Sequence, residues 1–217
     1  MGRGPVGAPA LIKYNDQSVS EITEIGAGAK DSMVLIKTET ASSDSTLSFV
    51  DGTSDVVLDS TYPIYLFKFI NIHPSAEARL TFQGNAAGGS GYNETITSTA
   101  FQAYHTEDGT SVASVGYSTD NDQGNGTAFQ IISSVGGTQN DASLSGELWL
   151  FNPSTTTFVK HFMARTIEMY EDSAPGAIEL HTAGYFNVTT AVDEIQFKMS
   201  SGNIDAGTIK LYGIKDS

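Results

Sequence analysis

Phe158-Val159-Lys160-His161-Phe162-Met163-Ala164-Arg165-Thr166-Ile167-Glu168-Met169-Tyr170 decides the fold class, because it is long enough to be a helix. Its side chains argue for a strand. Phe158, Lys160, Phe162, Ala164 and Thr166 alternate with Val159, His161, Met163 and Arg165, and β-branched and aromatic residues dominate. A period of two built from those residue types fits a pleated surface, where neighbours point to opposite faces.

The same pattern recurs on both sides. In 64–72, Tyr65, Phe67 and Phe69 fall on one face and Leu66, Ile70 and Ile72 on the other. Only Lys68 and Asn71 interrupt it, so both faces are expected to be covered. Further strands are expected at 33–40, 46–50, 79–83, 94–106, 112–117, 128–133, 144–151, 178–187, 194–200 and 208–214. Gly, Asn, Asp, Ser and Pro punctuate them. The expected class is all-β: an antiparallel two-sheet sandwich of jelly-roll or concanavalin-like type. The long runs 94–106 and 158–170 are expected to pair near the centre of one sheet. Ser201-Gly202-Asn203-Ile204-Asp205-Ala206-Gly207 is rich in turn formers and is expected to join the last two strands as a closing hairpin. The one helical feature expected is a short turn at 191–194.

Residues 1–30 differ from the rest. Gly2, Gly4, Pro5, Gly7 and Pro9 deny them regular structure, and Gly26-Ala27-Gly28-Ala29 reads as a joint. They are expected to form an extended N-terminal arm, with 31–217 as the sandwich domain. Such a segment buries too little of its own surface to order itself. It can instead add backbone hydrogen bonds along a neighbour's sheet edge and insert Leu11, Ile12, Tyr14, Val19 and Ile22 into pockets.

Composition narrows the function. Eleven Lys and Arg against 25 Asp and Glu give a net charge of −14, which argues against a nucleic-acid partner, whose binding depends on phosphate neutralisation. No apolar run approaches the roughly 20 residues of a membrane helix. The absence of cysteine removes disulfides, thiolate metal sites and a cysteine nucleophile. The first residues lack the basic-then-apolar layout of an export signal, although the composition looks extracellular. A virion protein reconciles the two, being made inside the cell and exposed after lysis.

Signals for chemistry are weak. His73, His105, His161 and His181 form no short metal-binding spacing, and His161 and His181 could meet across strands. Gly88-Gly89-Ser90-Gly91-Tyr92 misses the nucleophile elbow at its last position. Glu147, Glu168, Glu179 and Glu194 could supply a carboxylate pair, yet nothing singles one out, and charges guarding sheet edges explain them. Asp120 and Asp122, within Asp120-Asn121-Asp122-Gln123-Gly124-Asn125-Gly126, are the calcium candidates; a helix–loop–helix site would want glutamate where Ile131 stands. Tyr92, Tyr104 and Tyr117 are the candidates for stacking on a glycan, with Tyr170 and Tyr185 as further tyrosines, whereas Trp149 within 148–151 reads as core. No catalytic residue and no cofactor are expected.

Three phrases carry a resemblance: Tyr65-Leu66-Phe67-Lys68-Phe69-Ile70-Asn71-Ile72-His73-Pro74, Gly146-Glu147-Leu148-Trp149-Leu150-Phe151-Asn152-Pro153 and Phe158-Val159-Lys160-His161-Phe162. With the ending Phe197-Lys198-Met199-Ser200-Ser201-Gly202-Asn203-Ile204-Asp205-Ala206-Gly207-Thr208-Ile209-Lys210-Leu211-Tyr212-Gly213-Ile214, they resemble virion structural proteins of marine tailed bacteriophages. The resemblance spans 34–214, and Tyr14-Asn15-Asp16-Gln17-Ser18 shares it. It implies a jelly-roll or lectin-like sandwich on a phage particle and carries no catalytic residue. The expected function is a non-enzymatic capsid decoration or cement protein anchored by its arm. Its expected partners are the major capsid or tail proteins of the same virion and further copies of itself, a trimer being the common arrangement. The alternative is a tail-fibre or spike head that binds host-surface glycan.

Overall fold

The computed structural model describes residues 13–14, 17–18, 32–110, 113–170 and 175–215. The chain divides into two units, Met1–Asp31 with Ser217, and Ser32–Asp216. In the first, β1 (Lys13–Tyr14) pairs antiparallel with β2 (Gln17–Ser18). Leu11, Ile12, Val19 and Ile22 lie outside the described residues, and of Tyr14 only its place in β1 is described.

The second unit is built from β3 (Met33–Thr40), β4 (Leu47–Val50), β5 (Ile64–Pro74), β6 (Leu80–Ala86), β7 (Ile96–Thr106), β8 (Ala113–Tyr117), β9 (Gln130–Ile131), β10 (Leu144–Phe151), β11 (Lys160–Tyr170), β12 (Gly176–Phe186), β13 (Val192–Met199) and β14 (Ile204–Ile214). Eight strands form one sheet in the order β3-β14-β5-β10-β11-β12-β7-β8, and four form a second in the order β4-β13-β6-β9. Every pairing is antiparallel, and the two sheets make a sandwich. Each strand read from the alternation is present within a few residues of its expected ends.

Four details differ from expectation. β13 and β14 do not form a hairpin: β13 pairs with β4 and β6, and β14 with β3 and β5, so the chain crosses from one sheet to the other. Phe197 and Met199 lie in the same core as Ile209 and Leu211 but come from the opposite layer. Alternation reports burial, and burial is the same whether two strands lie side by side or face to face. β7 and β11 share a sheet but are not partners, because β12 pairs along its full length with both. Residues 191–194 form no helical turn; β13 begins there and buries Val192 completely.

The fourth difference concerns Ile72. Asn71 adopts a positive φ of 50°, and the β14 pairing slips beside it. A bulge of this kind turns the following side chain to the other face. Ile72 therefore enters the core with Phe69, while Leu66 and Ile70 stay on the outward side, where Ile70 is exposed. Both faces of β5 are not fully covered.

The core is a phenylalanine cluster between the layers. Phe197 of β13 meets Phe67 and Phe69 of β5 at 5.2 and 5.4 Å between ring centroids and Phe49 of β4 at 6.1 Å, all edge-on. Phe82 of β6 meets Phe162 of β11 at 5.0 Å. Edge-to-face contacts at these separations add to the burial of each ring, itself worth about 1.5–3 kcal/mol. Near the end of β14, the Tyr62 ring occupies the space that a Cβ on Gly213 would need, so a larger residue there would have to displace that ring.

Lys160 is fully buried at the start of β11 and has no carboxylate partner among the described residues. Its ammonium donates to the carbonyls of Phe158 (2.7 Å), Thr189 (3.0 Å) and Val188 (3.2 Å), which ties the turn before β13 to the start of β11. Burial lowers its pKa.

Candidate functional site

The phenylalanine cluster covers only part of the inner face of the large sheet. At β7 and the C-terminal part of β11, the covering layer is the segment 118–136, held by side-chain amides and hydroxyls. Gln130, fully buried, donates from Nε2 to the carbonyls of Asn121 (2.7 Å) and Ile131 (2.8 Å), and its Oε1 accepts from Ser98 Oγ on β7 (2.7 Å). Thr166 on β11 donates to the Ile132 carbonyl at 2.6 Å. Ser133 Oγ accepts from the Leu80 amide (2.8 Å) and donates to the Ser134 carbonyl (2.7 Å). A layer attached in this way bridges polar groups and does not close over the sheet as side-chain packing would.

A cleft of about 340 Å³ remains. Its floor is Gln102 and Tyr104 from β7, Ile178 from β12 and Tyr170 from β11; its walls are Arg79, Ser134 and Val135 on one side and Ser118, Asp120 and Asn121 on the other. Asn121 is 3% exposed, and its Nδ2 donates to Ser118 Oγ at 2.9 Å, yet its Oδ1 meets no donor. Arg79 Nε is likewise buried and has no acceptor. A buried polar atom left unpaired costs about 1–3 kcal/mol, and both of these lie beneath the cleft surface, out of reach of solvent.

Glu168 sits directly behind this region, opposite Ile178 and Leu144 in register, and is 4% exposed. Burial raises its pKa to about 8, with hydrogen bonding from Ser134 and the Arg79 charge pulling the other way. Among the described residues neither carboxyl oxygen has a partner at full hydrogen-bond geometry, although Ser134 lies close enough to lower the pKa. It therefore carries its proton at neutral pH. The alternation of Lys160, Phe162, Ala164 and Thr166 puts Glu168 on the inward face, and that signal in the sequence could have separated it from the other glutamates.

Those other glutamates have partners. Glu147 accepts from Lys68 Nζ at 2.8 Å, and this bond holds its pKa below the ordinary carboxylate value. Glu179 pairs with Arg165, which lowers its pKa, and lies 3.3 Å from His181. Both stand on interior strands of the large sheet, so edge protection is not their role. Glu194 accepts the Tyr92 hydroxyl at 2.9 Å.

The three candidate stacking tyrosines occupy three separate surfaces. Tyr104 lines the cleft. Tyr92 lies over the four-stranded sheet beside Phe129, its hydroxyl bound to Glu194 and its pKa raised by burial. Tyr117 is exposed on the outward side of the large sheet, opposite Phe101, and donates to Asp122 at 2.5 Å. The calcium candidates separate as well: Asp122 accepts from Tyr117, Asp120 lines the cleft, and no group of three or more His, Asp or Glu able to hold a metal occurs among the described residues. His161 and His181 do not meet, since His161 opposes Tyr185 and His181 opposes Arg165 while stacking on Phe101 at 4.7 Å.

Trp149 is not core. It lies on the outward face of the large sheet, between Leu66 and Met163 in register. That face also carries Met163, Leu35, Phe101, Ile167 and Ile70, which are 55, 51, 48, 47 and 41% exposed. A row of charged and aromatic side chains, Lys68, Glu147, Arg165, His181 and Phe101, crosses it from strand to strand.

Comparison with protein-family models, with curated proteins and with solved structures finds no match.

Proposed function

We propose that this chain is a non-enzymatic structural protein of a bacteriophage particle, seated on the particle surface as a capsid decoration protein. The observation that carries the reading is the outward face of the eight-stranded sheet, where Leu35, Ile70, Phe101, Met163 and Ile167 stand exposed. An antiparallel sheet with one face in solvent is ordinarily polar there, whereas here exposed apolar side chains flank the Lys68–Glu147–Arg165 row on both sides, and large exposed apolar side chains in such number mark a surface that meets another protein. The occupant is a shell protein of the same virion, with neighbouring copies of this chain closing a ring around the symmetry point. Residues 1–30 serve as the docking arm. The resemblance of 65–74, 146–153 and 197–214 to phage virion proteins supports the particle as its location.

The non-enzymatic part of the reading is supported by the fates of the carboxylates. Glu147, Glu179 and Glu194 are engaged by Lys68, Arg165 and Tyr92. Glu147 and Glu179 line one shallow pocket, and Lys68 and Arg165, the cations they pair with, line it as well.

The second reading, a tail-fibre or spike head that binds host-surface glycan, draws support from the polar cleft around Tyr104. Quantitative densitometry of purified particles separates the two. Decoration requires a copy number comparable to that of the major shell protein; a tail head requires one comparable to the minor tail components. Changing both Met163 and Ile167 to lysine is expected to abolish incorporation without unfolding the chain. Normal incorporation of that variant would overturn the docking face.

A further inference from the structure

Four strands end the two sheets: β3 and β8 the larger, β4 and β9 the smaller. An edge strand offers unpaired backbone groups to any extended chain, and proteins guard such edges with charges, bulges or brevity. Three of these four edges are guarded. β3 carries the Lys37–Glu39 ion pair, and its pairing with β14 slips between Leu35 and Lys37. β4 and β9 are the shortest strands of the second unit, at four and two residues. β8 differs from all three. Each of its five residues is exposed, and 109–119 contain no Asp, Glu, Lys, Arg or His.

The register shows which backbone groups of β8 are free. Tyr117 lies opposite Phe101, Val115 opposite Ala103 and Ala113 opposite His105, and the Ser118 amide donates to the Ala100 carbonyl at 2.9 Å. Bonded and non-bonded pairs alternate along an antiparallel ladder. Ser114, Gly116 and Ser118 therefore turn their backbone groups toward β7, while Ala113, Val115 and Tyr117 turn theirs away from the sheet. β7 is the one strand paired with β8 among the described residues.

We propose that β8 joins two copies of this chain, running antiparallel to the partner's β8 about a two-fold axis at Val115, so that two eight-stranded sheets become one. A two-fold contact must be complementary to itself, and this strand meets that condition in three ways. Its outward-turned backbone groups fall on Ala113, Val115 and Tyr117, which are spaced evenly about Val115, so every one finds a bonded pair in the partner. Each Tyr117 ring falls beside the partner's Ala113, large against small. Ser114 and Gly116 leave the other side of the strand without bulk, and the space beside Gly116 is open. Val115 and Tyr117 are 74 and 58% exposed in the single chain, so pairing also removes apolar surface from water. A chain of net charge −14 repels its copies, and an uncharged edge is where two of them approach at least cost. This contact belongs to the chain alone and does not depend on the particle reading; loss of either leaves the other standing.

The test is sedimentation velocity of the full chain over a micromolar concentration series, with three substitutions at one position. The expected result is a dimer. Val115→Pro removes an amide that faces away from β7, where a sheet tolerates proline, and should raise the dissociation constant about a hundredfold or more. Val115→Lys sets like charges opposite each other and should weaken the dimer similarly, which covers failure of the proline variant to fold. The chain has no cysteine, so Val115→Cys reads the register. Residues opposed in a bonded pair stand about 5.5 Å apart at Cα, within disulfide reach. Mild oxidation should join the two copies covalently, whereas Thr38→Cys on the β3 edge should not. A monomer at every concentration overturns the proposal, and slow amide exchange at Ala113, Val115 and Tyr117 in that monomer would point to residues 1–30 as the occupant. A dimer that withstands both Val115→Pro and Val115→Lys, or thiols at position 115 that fail to join, overturns it as well.

Discussion

The two faces of β11 reverse the usual arrangement over their C-terminal half. Inward, the side chains run Phe162, Ala164, Thr166, Glu168, from apolar to ionisable; outward they run Met163, Arg165, Ile167. At the start of the strand, the inner face packs against Phe82 and the phenylalanine cluster. Four residues later, it meets a hydrogen-bonded loop layer and a cleft. Burial and hydrophobicity therefore part company within one strand. The apolar end holds the sandwich together, while the polar end and the apolar exterior are free to serve binding.

The largest expected effect lies at the apolar end. Phe197→Ala empties the centre of the cluster, where four other rings meet it. It should cost about 3–5 kcal/mol, read as a fall in the denaturation midpoint. A cost no larger than that of an exposed substitution would mean that the two ends are not different in kind.

Glu168→Gln should act in the opposite direction at the polar end. In the folded chain the carboxyl keeps its proton up to about pH 8, whereas its unperturbed value is 4.5. Between those values the unfolded chain binds fewer protons, so stability falls as pH rises from about 4.5 to about 8 and then levels off. Glutamine removes that slope. The variant should match the parent near pH 4 and exceed it at pH 8 by a margin on the order of a few kcal/mol. Parallel stability–pH curves for the two proteins would show that Glu168 does not titrate in this way.

Gln130→Ala removes bonds from the loop layer and not from the sheet packing. It should cost about 2 kcal/mol and raise amide exchange across 118–136 while β5, β10 and β14 keep their protection. The smallest effect belongs to the exterior: Met163→Ser should change stability by no more than about 0.5 kcal/mol, measured by chemical denaturation.

The sequence made the strands legible because alternation survives wherever one face is buried. It brought out 158–170 as a strand and placed all twelve strands of the second unit within a few residues. It did not show which strands share a layer. Phe197 and Leu211 alternate alike whether β13 and β14 are neighbours or face each other. The bulge at Asn71 was hidden for a similar reason, since an isolated asparagine between apolar residues does not announce a positive φ. Trp149 was misread because an apolar run such as 148–151 suggests burial on both faces, while here one of them is the outer face of the sandwich. Of the cleft, Tyr104, Tyr170 and Asp120 were among the candidates. Asn121 lies inside the calcium-candidate stretch, whereas Arg79 and Gln102 stand outside every motif that draws attention, and the fold alone brings them to the cleft.

The central claim is that the outward face of the large sheet is covered when the protein does its work, while the inner cleft stays open. Carbene footprinting read by mass spectrometry, comparing the free chain with purified particles, measures both surfaces at once. The account predicts that Phe101, Met163 and Ile167 lose labelling on the particle while Tyr104 keeps it. Unchanged labelling of the three outward residues, or protection confined to Tyr104, would contradict it.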